Sequence, residues 1–310
     1  MLTLGYADER WASRQQLNPA TILRGSETWR PNPRADDGRM HLLTADLRID
    51  TRNDVDRPWA GWYVAANYEY GTGTIARFAP LSADLVPTAG LLGPESPDIP
   101  GVRDERPGHR SYGRGFLDVR RYNRITPDAQ LNVRLVGGGW LHGDALPAER
   151  RFSVSGPGAI PGFSFRQAAG LDRYDVAQCS VRGLQPAGDP AQCERMALGQ
   201  VEYRTDVRVG LFTGDEGGER VRRGLRTEFT WVLFADAGRG WLLGPREGLL
   251  QYPTHALPGL GTALADLGAG VDFDHPHGPG DVGAFGLYVA KSVTAPARPL
   301  TFFLRLRRRF

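Results

Sequence analysis

Leu42-Leu43-Thr44-Ala45-Asp46-Leu47-Arg48-Ile49-Asp50 puts Leu43, Ala45, Leu47 and Ile49 on one side of an extended chain and Thr44, Asp46, Arg48 and Asp50 on the other, together with Leu42. Successive side chains of a strand point to opposite faces, so the stretch reads as a β-strand with one apolar and one ionic face. The same period recurs outward from it. Trp62, Val64, Ala66, Tyr68 and Tyr70 oppose Tyr63, Ala65, Asn67 and Glu69, and Leu131, Val133 and Leu135 oppose Asn132, Arg134 and Val136. Ala197, Gly199, Val201 and Tyr203 oppose Gln200, Glu202 and Arg204, while Phe229, Trp231, Leu233 and Ala235 oppose Glu228, Thr230 and Asp236. Leu267, Ala269, Val271 and Phe273 oppose Asp266 and Asp272, and Phe285, Leu287 and Val289 oppose Gly286, Tyr288 and Ala290.

These segments run to about ten residues, the length at which a tilted strand crosses a bilayer. A soluble sandwich also alternates, and a soluble β-sandwich binding module stays open as an alternative. Its water-facing side is usually rich in Lys, Thr and Ser. Here the polar side mixes Asp, Glu and Arg, as in a lumen where charges pair. Connections support the same reading. Short turns are expected near Arg52–Pro58, Thr126–Asp128 and His275–Gly280, and long ones at Asp8–Gly38, Gly71–Tyr112, Gly143–Glu194 and Gly238–Gly261. Thr205–Gly224 breaks the rule and reads as an extended turn with its own hairpin.

The 310 residues carry 38 basic and 35 acidic side chains, a net charge of +3, and Lys291 is the only lysine. No basic stripe interleaved with aromatics is present, which argues against nucleic-acid binding. No run approaches the roughly 18 apolar residues of a membrane helix. Met1 leads into Leu2-Thr3-Leu4-Gly5-Tyr6 without a positive or long apolar leader, so no signal peptide is read at this start. The 40 glycines and 23 prolines suit many strands joined by turns.

In this order the residues resemble the C-terminal barrel of the bacterial surface-antigen superfamily, which includes the BamA and TamA outer-membrane assembly factors and related secretion pores. Asp50-Thr51-Arg52-Asn53 followed by Pro58-Trp59-Ala60-Gly61-Trp62 looks like that family's periplasmic turn. Arg151-Phe152-Ser153-Val154-Ser155-Gly156-Pro157-Gly158-Ala159-Ile160-Pro161-Gly162-Phe163 resembles the external loop that folds back into the lumen. The family's loop arginine is replaced by Pro161, with Arg166 as a substitute. Asp236 and Glu202 are the wall residues the resemblance assigns to face that loop. The final stretch, Leu300 to Phe310, resembles the terminal assembly signal, with Phe302, Leu304, Leu306 and Phe310 on one face beside Arg308.

The resemblance implies an all-β, antiparallel transmembrane barrel in the bacterial outer membrane. It covers residues 1–310 as one domain of about ten strands, the N-terminally truncated C-terminal part of a larger barrel. It implies a non-enzymatic role in insertion or translocation of outer-membrane or secreted polypeptides. Outer-membrane lipid, substrate β-barrel polypeptides and periplasmic assembly proteins are the partners it implies. A barrel that anchors, or serves as secretion pore for, a missing upstream effector is the other membrane reading.

No cofactor, metal or catalytic residue is expected. Asp272, Asp274, His275 and His277 could hold a metal by type, but Pro276 and Pro279 make them read as a polar turn. Ser153 and Ser155 do not form a nucleophile elbow. Cys179 and Cys193 share the long loop and, in an oxidising location, are expected to form a disulfide closing about fifteen residues, worth roughly 3 kcal/mol.

Overall fold

The computed structural model describes residues 1–12, 21–22, 29–30, 37–76, 108–144, 146–152, 159–163, 179–180, 193–210, 226–241, 263–274, 284–297 and 299–305. Alternation of β-branched, aromatic and aliphatic residues with polar ones is realised as strands nearly throughout. In chain order these are β1 (Leu2–Trp11), β2 (Thr21–Ile22), β3 (Trp29–Arg30), β4 (Asp37–Asp50), β5 (Gly61–Ala76), β6 (Gly108–Thr126) and β7 (Ala129–Gly143). They are followed by β8 (Cys179–Ser180), β9 (Arg195–Gly210), β10 (Arg226–Trp241), β11 (Leu264–Asp274), β12 (Ala284–Ser292) and β13 (Thr301–Arg305). A single 3₁₀ turn, Ala148–Arg150, interrupts the pattern among the described residues.

Ten strands form one antiparallel sheet in the order β1-β4-β5-β6-β7-β9-β10-β11-β12-β13. Every neighbour in that series is a sequence neighbour apart from the short β2, β3 and β8. Strand β8 adds a two-residue parallel rung to β10, and β2 pairs with β3 separately. The fold is therefore all-β and meandering, and its ten-strand path agrees with the number read from the sequence. Among the described residues the sheet is open: β1 pairs with β4 and β13 with β12, and the two end strands are not paired with each other.

Register assigns every side chain a face. Leu47 lies opposite Leu2 and Ala66, Leu135 opposite Val119 and Gly199, and Leu233 opposite Tyr203 and Ala269. All of these share one side. On the other, Asp118 faces Val136 and Ala65, Glu202 faces Asn132 and Phe234, and Asp272 faces Thr230 and Gly286. The burial of the two sides is inverted relative to a water-soluble sheet. Leu135 is 57% exposed, Leu233 54% and Phe302 76%, whereas Glu202 is 0%, Asp272 2% and Arg204 3% exposed. Lys291 belongs to the outward side, opposite Leu267. Tyr6, Tyr68, Trp62 and Trp231 are exposed on the same side as these aliphatic residues.

The strands outrun the alternating stretches read from the sequence. Asp8–Trp11 belongs to β1, and Gly71–Ala76 to β5. Thr205–Gly210 also continues β9 against Arg226–Trp231 of β10, rather than opening a turn. Backbone pairing carries on past the last clean alternation because a ladder bond needs no particular side chain. The remainder of that connection, 211–225, and the turn His275–Gly280 lie outside the described residues.

The β4–β5 turn explains its own sequence. Arg52 donates from Nε and Nη2 to Asp50 at 2.8 and 2.7 Å, and the Asn53 side chain accepts from the Trp59 and Ala60 amides at 3.0 and 2.8 Å. Thr51 Oγ1 accepts from the Trp62 amide at 3.0 Å. Gly61 has φ +113, and a Cβ there would sit 2.3 Å from the Thr51 carbonyl oxygen, so no side chain fits. Its partner Asp50 raises the Arg52 guanidinium above its ordinary pKa through their hydrogen bonds.

Candidate functional site

The inward face is a ledge of charges on which two pieces of the β7–β9 connection lie. The first is Ala159–Phe163. Ala159, Ile160 and Phe163 are buried against Val136 of β7 and Met196 and Leu198 of β9. Inward apolar residues gather in three clusters, and the segment lands on one of them. Polar contacts then orient it. Gln200 Nε2 donates to the Ala159 carbonyl at 2.9 Å and to Asp236 Oδ1 at 3.1 Å, and the Gly162 amide donates to Asp266 Oδ2 at 2.5 Å. A Cβ on Gly162 would lie 2.7 Å from Asp266 Cβ and 3.1 Å from the Ser292 amide nitrogen, so the close approach requires glycine.

Of the second piece, Leu146–Phe152, only Arg151 and Phe152 belong to the stretch singled out from the sequence. Leu146 is fully buried with Met40, Leu42, Ile75, Tyr112 and Trp140. Arg150 Nη2 donates to Glu9 of β1 at 2.5 Å, and its Nε lies 3.3 Å from Glu69 of β5. Glu69 also accepts from Tyr112 Oη at 2.8 Å and from Arg114 Nε and Nη2 at 2.9 and 3.0 Å. Burial opposes the charge of Arg150, but the hydrogen bond to Glu9 and the field of Glu69 outweigh it and raise its pKa. One arginine of the loop thus ties together strands β1, β5 and β6. Glu69 was legible as an inward polar residue, but nothing in an aperiodic loop marked Arg150 as its partner.

The base of the same connection is clamped. Phe152 and Cys193 exchange backbone hydrogen bonds of 2.7 and 2.6 Å. Cys193 is fully buried and disulfide-bonded, and Cys179 is the chain's other cysteine.

Two ionic networks stiffen the ledge itself. Asp118 accepts from Arg120 at 2.7 Å and Arg134 at 2.8 Å, and Arg134 Nη1 continues to Gln200 at 3.1 Å. Nearer the C-terminal strands, Arg204 donates to Glu202 at 2.9 Å and to Asp272, which also accepts from Tyr288 Oη. Tyr288 stacks on Phe303 with centroids 5.2 Å apart, and Arg305 lies over both rings.

The residues read from the sequence fall as follows. Ile160, Pro161, Gly162 and Phe163 are brought onto the ledge, and Gln200 links Asp236 to the adjoining Ala159 carbonyl. Glu202 instead pairs with Arg204 two residues along β9. Gly156, Pro157, Arg166, Leu306 and Phe310 lie outside the described residues. Phe302 and Leu304 point outward, opposite Val289 and Leu287, while Phe303 points in. Asp272, weighed above as a metal ligand by type, is committed to Arg204 and Tyr288. No group of three or more His, Cys, Asp or Glu side chains is placed to hold a metal among the described residues. No protein-family profile matches the chain, and no curated protein sequence matches it at a significant level.

Proposed function

We propose that this chain is the wall of an outer-membrane β-barrel of the surface-antigen type, and that it assists insertion or translocation of other polypeptides without enzymatic chemistry. The observation that carries the reading is the inverted sheet. Burying Glu202, Arg204 and Asp272 while exposing Leu135, Leu233 and Phe302 is costly in water, where exposed apolar surface is unfavourable. It is favourable when the outer solvent is hydrocarbon and the enclosed side is polar.

Three further features support it. Ten strands with alternating turns bring both ends of the sheet to one side, as in barrels with short turns on one side of the membrane. Loop segments brace the inward face in place of an open channel. The free edge of β13 offers unpaired backbone groups, and an extended substrate segment pairs with such an edge by β-augmentation. Unpaired edges are costly in lipid, so the edges of β1 and β13 meet each other or further strands in the membrane.

The full chain, refolded into detergent micelles and then into lipid vesicles, tests the reading. Heat-modifiable gel migration, protease protection of the strands and accelerated folding of an added outer-membrane barrel are the expected results. Cooperative folding in plain buffer sinks the membrane assignment. Folding in vesicles without any effect on substrate barrels leaves an anchor and removes the insertion role.

A further inference from the structure

The end strand β1 is fastened unevenly. It pairs with β4 from Leu2 to Trp11, and its other edge is unpaired among the described residues. Toward Met1, Leu2, Leu4 and Gly5 carry no polar side-chain group to bond with, and both leucines are exposed. Toward Trp11 the strand is held from inside. Ala7 and Trp11 pack against the cluster that buries Leu146 of the loop. Glu9 accepts from Arg150 Nη2 at 2.5 Å and from Trp11 Nε1 at 2.9 Å, and Arg150 Cζ lies 5.5 Å from the Trp11 ring centroid.

Arg150 is anchored independently of β1. Its Nε lies 3.3 Å from Glu69 of β5, and its carbonyl accepts from Arg114 Nη1 of β6 at 3.0 Å. Two residues on, Phe152 stacks on Phe116 of β6 with centroids 6.0 Å apart and exchanges backbone bonds with Cys193. The loop therefore bypasses β4: it is set in β5 and β6 and reaches from there to β1. The two ends of the Arg150–Glu9 bond differ in what they lose when it parts. The Glu9 side chain is 35% exposed, so its carboxylate regains water, while Arg150 keeps Glu69. The Arg204–Asp272 bridge has no such exit, because both side chains are buried and parting them leaves a charge stranded.

We infer that Arg150 is a reversible latch on the end strand: it pins residues 9–11 of β1 to the loop, and its release is the step that lets the whole of β1 leave β4. Opening starts at the Met1 end, where the backbone ladder alone resists, and stops short of Glu9 while the latch is closed. A strand that parts from its neighbour exposes a second row of unpaired N–H and C=O groups, a template for pairing with another chain. The loop thus sets how often that second edge is offered. The inference rests on the barrel reading above and adds to it what regulates the edge.

The test is amide hydrogen exchange of the full chain refolded in maltoside micelles, read by mass spectrometry on overlapping peptides, because exchange reports local opening segment by segment. In the wild-type chain, residues 2–5 are expected to exchange faster than residues 8–11. Arg150→Gln and Glu9→Ala are each expected to speed exchange of 8–11 about tenfold, the worth of one charge-assisted hydrogen bond, and to leave β9 and β10 unchanged. The double variant is expected to be no faster than either single one, since both remove the same interaction. Arg39→Gln, which cuts the exposed outward tie between β4 and Asp8, is expected to change little. Unchanged exchange of 8–11 overturns the latch, as does equal acceleration of β9 and β10 or an effect of Arg39→Gln as large as that of Arg150→Gln.

If Arg150→Gln does not fold, Glu9→Ala decides by the same readout, since it leaves Arg150 with Glu69. In vesicles, Glu9→Ala is expected to accelerate folding of an added outer-membrane barrel more than the wild-type chain does; equal acceleration by the two overturns the regulatory role. Failure of the barrel reading looks different: the chain then folds in buffer without detergent. Loss of the latch alone leaves detergent-dependent folding intact, with β1 exchange insensitive to Arg150 and Glu9.

Discussion

Arg204 on β9 reaches across Val232 of β10 to the carboxylate of Asp272 on β11, and both ends of this bridge are buried. A buried ion pair adds little net stability over apolar residues, but removing one partner strands the other charge. Arg204→Gln is therefore expected to destabilise the folded chain by about 3–5 kcal/mol. Arg39→Gln, which breaks the exposed pair with Asp8, is expected to leave the midpoint nearly unchanged, because solvent screens that pair. Urea titration of the refolded protein in micelles compares the two; equal midpoints for both variants contradict the buried bridge.

Leu135 sits midway along β7 on the outward side and is more than half exposed. Leu135→Arg is expected to cost about 2–4 kcal/mol if that side meets hydrocarbon. If it meets water, the substitution is neutral or improves solubility. Folding yield and stability in vesicles, measured beside Leu135→Ala, distinguish these outcomes.

Gly162 touches Asp266 and Ser292 too closely for a side chain. Gly162→Val is expected to lift Ala159–Phe163 off the ledge, at a cost of about 1–3 kcal/mol from overpacking. Limited proteolysis within 153–192 should then become faster while the strands stay protected. Unchanged cleavage kinetics in this variant would show that the segment is not held by that contact.

The disulfide at Cys193 closes the C-terminal part of the β7–β9 connection, beside the backbone pair of Phe152 and Cys193. Reduction, or Cys193→Ser, is expected to lower stability by about 3 kcal/mol in the chain-entropy model for a fifteen-residue loop. Thermal unfolding with and without reductant measures it. The loss should fall on loop protection before it reaches the sheet, because β9 and β10 remain paired from Arg195 to Gly210.

Strand identity was legible because the side-chain period of two is a local property. Leu43 against Asp46 and Leu233 against Asp236 declare their faces within a few residues. Strand ends were less legible, since Thr205–Gly210 is held by its partner's backbone and not by its own pattern. The Ala159–Phe163 segment was singled out through the family resemblance. Arg150 could not be, because Glu9 lies 141 residues away in sequence and only the fold brings them together. Asp236 against Glu202 shows the same limit. Both are inward acids of similar appearance, yet Gln200 draws the first toward the loop while Arg204 claims the second.

The preference for arginine over lysine on the inward face leaves the chain with a built-in depth gauge. In this sequence an amine-reactive reagent meets a single lysine, Lys291, which projects outward from β12 opposite Leu267. A spin label or fluorophore attached there reports its immersion through quenchers placed at known positions along the acyl chains. On the barrel reading proposed above, this one lysine would report the depth of its own sheet in a bilayer.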